Sequence, residues 1–263
     1  MIVTPSERDH RYGDERIVDW LNQSREWSYE KPVPYHPRSD RHGGAQCNFF
    51  IDDLLCESDP FASAAAAGEI VYQEDYDVGD SRGLGWNVDL VIGPPSGDAS
   101  QPIDGRIAQR APGEVWLACD AKSIMTEHQK ARRNRQRDIN SFADIMHTHH
   151  ERALSCGILL LNLASKFDSP TRDPEDITEH PHINRIVGEI VDLFDSINRS
   201  GGEISANLDG LGVVVIEHTN LTQNIGDTRL ATESPAPQPA DRTHYRTFVR
   251  QMADLFEARF LGG

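Results

Sequence analysis

The sequence predicts an α/β fold, a central mixed β-sheet flanked by helices, with a helical N-terminal extension. Short apolar runs of strand length, among them WNVDLVIG, EVWLACDAKSI, CGILLLNLAS and GLGVVVIEHTN, alternate in the second half of the chain with longer stretches of helical periodicity. No internal repeat interrupts this order. At 263 residues, 38% of them hydrophobic, the chain can bury one substantial core. We therefore expect an extension over residues 1–57 and a globular domain over residues 58–263, joined as one continuous unit.

Each element has its own signal. DERIVDWLNQSREW places Ile17, Val18 and Leu21 on one helical face. EKPVPYHPRSDRHGG, with three prolines and a closing glycine pair, reads as a loop. AQCNFFIDDLLCE and DPFASAAAAG read as helices, the second with proline in its first turn. EIVYQEDYDV is a strand or a helix end, WNVDLVIG a strand stopped by Pro94-Pro95, and EVWLACDAKSI a further strand after a polar loop. TEHQKARRNRQRDINSFADIMHTHHERA predicts a long helix capped by Thr126, with Ile139, Phe142, Ile145 and Met146 on its apolar face. CGILLLNLAS and GLGVVVIEHTN are strands, HINRIVGEIVDLFDSINRS and HYRTFVRQMADLFEARFL helices. The polar, Pro- and Ala-containing stretch at residues 220–242 reads as a flexible surface loop.

Composition narrows the function classes. No apolar run approaches the roughly 20 residues that span a bilayer, and the N-terminus lacks a basic start followed by an apolar stretch, so a cytoplasmic protein without membrane partners is expected. Cys47, Cys56, Cys119 and Cys156 have no CxxC spacing, which predicts reduced thiols and no zinc site. The net charge of -16 excludes a chain that is basic throughout. Cations are 22 Arg to 4 Lys and acids 25 Asp to 17 Glu, a bias that fits a salt-adapted or GC-rich host.

Against this background, charges inside apolar strands stand out. Strand alternation puts Val115, Leu117, Cys119 and Ala121 on one face, with Asp120 and Lys122 together on the other. It likewise puts Val88, Leu90 and Ile92 on one face and Asp89 opposite, so neighbouring strands bring Asp89 beside Asp120 and Lys122. Buried charge is costly unless paired or bound to a metal. Two carboxylates on rigid strands suit Mg²⁺, which is held by one or two carboxylates plus substrate phosphate, and Lys122 offers a cation to orient water and offset developing charge. A buried Asp-Lys ion pair without catalysis is the plain alternative.

Asp89, a gap of thirty residues and then Asp120-Ala121-Lys122 resembles the motif of the PD-(D/E)XK nuclease superfamily. Residues 58–165 follow that family's order of helix, three strands, helix and strand, which implies a restriction-endonuclease-like core. Val88 stands where the family often has Pro, and Asp120 where Glu is more frequent. The resemblance implies a Mg²⁺-dependent endonuclease (one or two ions) acting on double-stranded DNA, most like a type II restriction enzyme, leaving 5′-phosphate and 3′-hydroxyl ends. Asp89 and Asp120 would be metal ligands, Lys122 the water-positioning residue, and Glu69 a candidate for the acidic ligand that members add from the first core helix. Homodimerisation and a companion DNA methyltransferase are the implied partners. Other readings are a repair or defence-system nuclease recognising DNA structure or modification, and a DNA-binding protein that kept the fold without catalysis.

The helix after the motif carries Lys130, Arg132, Arg133, Arg135 and Arg137, a run that predicts DNA-phosphate contact beside the site. Its bland alternative is a solvated face paired with Glu127 and Asp138. His147, His149, His150 and Glu151 do not share one helical face and are a weak metal cluster, while Trp27, Tyr29 and Trp86 are base-stacking or core aromatics. The GLG tripeptides at 83–85 and 210–212 lack a nucleotide-loop context and read as turns.

Overall fold

A computed structural model describes residues 10–23, 41–79, 85–99, 102, 106–170, 172–173, 176–221 and 226–262. Helix α1 (Gly13–Asn22) buries Ile17 and Leu21, one turn apart. Helix α2 (Arg41–Glu57) buries Cys47, Phe50, Ile51 and Leu54. It starts four residues before the predicted apolar run, so Gly43 and Gly44, expected to close a loop, lie inside it. Packing against the sheet holds the helix through both glycines: a Cβ built on Gly43 would sit 3.7 Å from that of Ala121. The prolines of the predicted loop, like Trp27 and Tyr29, lie outside the described residues. In α3 (Asp59–Ala67) the Ser58 hydroxyl accepts the Phe61 N–H, and Gly68, at φ 73°, ends the helix in the left-handed region.

The sheet begins with β1 (Val71–Gly79), β2 (Gly85–Gly93), the short β3 (Ala108–Gln109) and β4 (Leu117–Ile124). Helix α4 (His128–His149) crosses back to β5 (Leu154–Asn162). After the small pair β6 (Lys166–Phe167) and β7 (Thr178–Glu179), α5 (Ile183–Asp195) leads to β8 (Gly210–Glu217), β9 (Arg229–Leu230) and α6 (Tyr245–Phe256). A π-helical turn over Glu257–Leu261 follows α6. The seven-stranded order is β3-β1-β2-β4-β5-β8-β9. The β1-β2-β4 part is antiparallel and β4-β5-β8 is parallel, which makes the sheet mixed. No helix among the described residues is long and apolar enough to cross a membrane.

Two buried cores sandwich the sheet. On one face Leu90, Ile92, Leu117 and Cys119 meet Phe50 and Ile51 of α2 and Phe248 and Met252 of α6. On the other, Val88, Val91, Ala118 and Leu159 meet Ile139, Phe142 and Met146 of α4 and Val187, Ile190 and Phe194 of α5. The second GLG is therefore not a turn. Gly210 and Gly212 open β8, and a Cβ on Gly212 would fall 2.6 Å from the Phe248 ring, so close helix-on-sheet contact requires glycine there.

The N-terminal helices share the first core with the sheet. Their anchor is Asp53 of α2, a fully buried carboxylate. It accepts the Gly13 N–H at 2.9 Å, Arg16 at 3.0 Å and the Tyr245 hydroxyl at 2.7 Å, and it faces His10 Nε2 at 2.8 Å. Helices α1, α2 and α6 are thus joined at one side chain. In the stretch expected as a flexible loop, β9 pairs with Ile216 and Glu217, and the Gln238 amide donates to the Thr232 and Ala236 carbonyls.

Thr126 does not cap α4. Glu127 holds that position at φ 51°, while the Thr126 hydroxyl contacts His180 Nε2 at 3.1 Å, a tertiary partner that competes with capping.

Candidate active site

The β2-β4 ladder pairs Ile92 with Leu117, Val91 with Ala118 and Leu90 with Cys119, and stops there. One residue further, Asp89 comes opposite Asp120. Beyond this point β4 runs on beside β5 and β2 beside β1. Where the ladder ends, Asp89 Oδ2 accepts the Ala121 N–H at 2.6 Å. Alternation breaks at the same place: Val88 packs with Val91 on the α4 side, whereas Leu90 and Ile92 face α2. The expectation that Val88 shares their face is thereby corrected. Val115 also joins the α4 side, because it precedes β4 and escapes the strand's phase.

The cluster predicted from the sequence is assembled at this fork. Lys122 Nζ lies 2.6 Å from Asp120 Oδ1 and 3.9 Å from Asp89 Oδ2. The Trp86 indole N–H points at the same Asp120 oxygen from 3.5 Å, so Trp86 is a neighbour of the carboxylate cluster. Asp120 is completely buried, whereas Asp89 and Lys122 keep 23% and 16% of their side chains exposed, so the site opens on that side. Burial pushes the Asp120 carboxyl up to about 7, against the pull of the Lys122 charge. Burial also raises Asp89, opposed by Lys122 and by the bond from Ala121.

A divalent cation suits this donor set. Asp120 Oδ2 is buried without a hydrogen-bond partner among the described residues, an orphaned acceptor beside a partly exposed carboxylate. No group of three or more His, Cys, Asp or Glu side chains among the described residues is arranged to hold a metal ion. Two carboxylates leave most of the shell to water and substrate, as Mg²⁺ prefers.

Other candidates fall elsewhere. Glu69 is exposed in the turn between α3 and β1, at the end of β1 where Val71 pairs with Gly93, and it does not join the cluster. On β1 the exposed acid nearest in register is Asp75. Pairs Glu74–Leu90 and Tyr76–Val88 bracket it opposite Asp89, and its charge adds to the upward push on Asp89. Sequence reading missed Asp75 because EIVYQEDYDV offers several acids and no phase. It also missed α2, whose Gly43 comes within 4.0 Å of Asp89 Oδ1 as measured from a built Cβ.

The α4 cations divide. Arg132 pairs with Glu189 at 2.9 Å, Arg135 with Asp138 at 3.1 Å and Lys130 with Glu127 at 3.4 Å. Arg133 and Arg137 are exposed and form no salt bridge among the described residues. Lys130, Arg133 and Arg137 share the face opposite buried Ile139, Phe142 and Met146, which turns them to solvent on the outside of the helix. His147 Nε2 lies near Ser155 Oγ at 3.0 Å and the Asn207 carbonyl at 3.1 Å, contacts that tie α4 to the sheet. Cys47, Cys119 and Cys156 are buried and Cys56 half-buried; all four are free thiols.

Comparison of the chain with protein-family models, with curated proteins and with solved structures finds no match.

Proposed function

We propose that this chain is a Mg²⁺-dependent endonuclease that hydrolyses phosphodiester bonds of double-stranded DNA, in the manner of a sequence-specific restriction enzyme built on a PD-(D/E)XK core. The observation that carries the reading is the fork itself: Asp89 and Asp120 meet where β2 and β4 part, with Lys122 between them. The order α2 or α3, β1, β2, β4, α4, β5 supports it, as does the parallel β4-β5 crossover through α4.

Asp89 and Asp120 are the residues that would hold Mg²⁺, which when bound supplies charge neutralisation and polarisation of a phosphoryl oxygen. Burial holds the Asp120 carboxyl near neutrality, and a bound cation would favour its ionised, ligating form. Lys122 Nζ, fixed by both carboxylates, orients a water for in-line attack and offsets charge developing on the phosphate. Ala121 N–H keeps Asp89 aimed into the fork. Arg133 and Arg137 supply sequence-independent attraction to the DNA backbone.

The test is digestion of unmethylated and methylated plasmid and phage DNA with and without Mg²⁺, comparing wild type with Asp89→Ala and Lys122→Ala. Discrete fragments lost in both variants are expected, and smears would favour a structure-specific repair or defence nuclease. Absence of cleavage in every condition, with DNA still shifted in a gel, would overturn the catalytic reading.

A further inference from the structure

We propose that Trp86 is a positioning residue of the cation site, its indole N–H holding one oxygen of Asp120 so that the other is left for Mg²⁺; the proposal rests on the metal site of the reading above. Two donors converge on Asp120 Oδ1: Lys122 Nζ at 2.6 Å and Trp86 Nε1 at 3.5 Å. Oδ2 of the same carboxylate has no hydrogen-bond partner among the described residues. Asp120 is thus a divided carboxylate, with one oxygen engaged twice and the other unused. Beside it stand Asp89 and Lys122, both partly exposed, through which the fork is reached.

The indole is a fixed donor. Trp86 stands opposite Val78 in the β1-β2 ladder and is half-buried, packed with Tyr76 and Ala131 against the core on the α4 side. Trp86 and Val88, two residues apart, face that side, and Asp120 shares it in phase with Ala118 and Ile124 of β4. Packing therefore sets where the N–H points. Lys122 is a donor of another kind. Its ammonium rides on a flexible stem, reaches Asp89 as well at 3.9 Å, and is the group that orients water and meets phosphate charge. A carboxylate anchored by Lys122 alone would move with it, whereas the indole holds Oδ1 while Lys122 turns to substrate.

The chemistry of the indole suits this task. Its N–H donates and cannot accept, so it constrains the carboxylate without competing for the metal. Outer partners of this kind orient a metal's ligands, and their loss weakens metal binding by about 10–100-fold.

The experiment titrates Mg²⁺ into wild type, Trp86→Phe and Asp120→Asn, following melting temperature, plasmid cleavage and, where Trp86 is present, its indole N–H resonance. Trp86→Phe keeps an aromatic ring against the core and removes the N–H. The midpoint of Mg²⁺-dependent stabilisation should rise about tenfold in Trp86→Phe, while cleavage at saturating Mg²⁺ recovers with an unchanged KM for DNA. In wild type the indole resonance should shift with the same midpoint as the melting temperature, and in Asp120→Asn it should not respond. A lower unliganded melting temperature with an unchanged Mg²⁺ midpoint would make Trp86 a packing residue and overturn the proposal. So would a raised KM for DNA with an unchanged midpoint, because the indole would then contact a base. Should Trp86→Phe not fold, the wild-type resonance decides, and one unmoved by Mg²⁺ that stabilises the protein overturns the inference. Wild type that Mg²⁺ stabilises but that leaves DNA uncut would overturn the nuclease reading alone, with midpoint and resonance still deciding Trp86. No stabilisation of wild type by Mg²⁺ would overturn the metal site and this inference with it.

Discussion

Replacing Asp120 with asparagine separates what the fork costs the fold from what it does chemically. The carboxyl is completely buried and is pushed from 3.8 up to about 7. At about 1.4 kcal/mol per pH unit, that gap corresponds to about 4 kcal/mol. The sign follows from which state holds the proton. Between pH 3.8 and about 7 the folded chain keeps it and the unfolded chain has lost it, so this contribution to stability is whole below pH 3.8 and is lost as pH rises through 7. Asp120→Asn removes this titration.

Denaturant unfolding of both proteins should therefore show the variant gaining on the wild type by about 1.4 kcal/mol per pH unit between pH 4 and 7, and a constant difference above. The slope carries the argument, because in the variant Lys122 has Asp89, at 3.9 Å, as its remaining anionic neighbour within the fork and this shifts the absolute difference. Mg²⁺ at pH 8 should raise the melting temperature of the wild type and not of the variant. Parallel pH curves would refute the assignment of a proton to the buried carboxyl. Equal stabilisation by Mg²⁺ would refute its role as a ligand.

Further outcomes follow from the same geometry. Tyr245→Phe deletes a hydroxyl that donates to buried Asp53 at 2.7 Å and should lower unfolding free energy by about 1.5–3 kcal/mol. An unchanged denaturation midpoint would mean that α6 is held without that bond. Burial lowers His128 and His218 to about 4, so folding stability should fall as pH drops from 6.5 through 4, by about 3 kcal/mol for each. His128→Gln should flatten that acid limb, and an unaltered limb would contradict the assignment. Gly212→Val forces a side chain into the Phe248 ring and should cost about 1–3 kcal/mol by thermal or chemical denaturation. Arg133→Ala with Arg137→Ala should weaken DNA binding and reduce the salt slope of log K by about two, without changing stability. An unchanged salt slope would place the DNA on another face.

The meeting of Asp89, Asp120 and Lys122 was legible because strand alternation and strand adjacency are local rules, and both operate close to the fork. Val115 was misplaced because it precedes β4, and Val88 because the phase of β2 breaks at Asp89, where β4 leaves the ladder and Asp75 of β1, at φ 51°, drops out of the pairing. Helix α2 was read four residues short, since Gly43 and Gly44 carry a loop signal that only contact with the sheet overrides. The place of Asp75 opposite Asp89 was invisible for a related reason: it is defined by register to β2, which spacing does not carry. The basic run on α4 is plain in the sequence, and both pairs of its bland alternative, Lys130 with Glu127 and Arg135 with Asp138, are formed. Which of them are neutralised depended on Glu189, which α5 brings from 57 residues away.

The Asp53 anchor has a bearing on when the site comes into being. The helix that lines the fork is gripped by a hydroxyl 192 residues further along the chain, and α6 also covers the sheet face on which that helix rests. Contacts of such separation form late, after the loop between them has closed. During synthesis, the strands bearing Asp89, Asp120 and Lys122 are all made before α6 exists, so the carboxylates can meet while α2 is still loosely held. The arrangement of α2 over the fork is therefore complete only once α6 has emerged and docked.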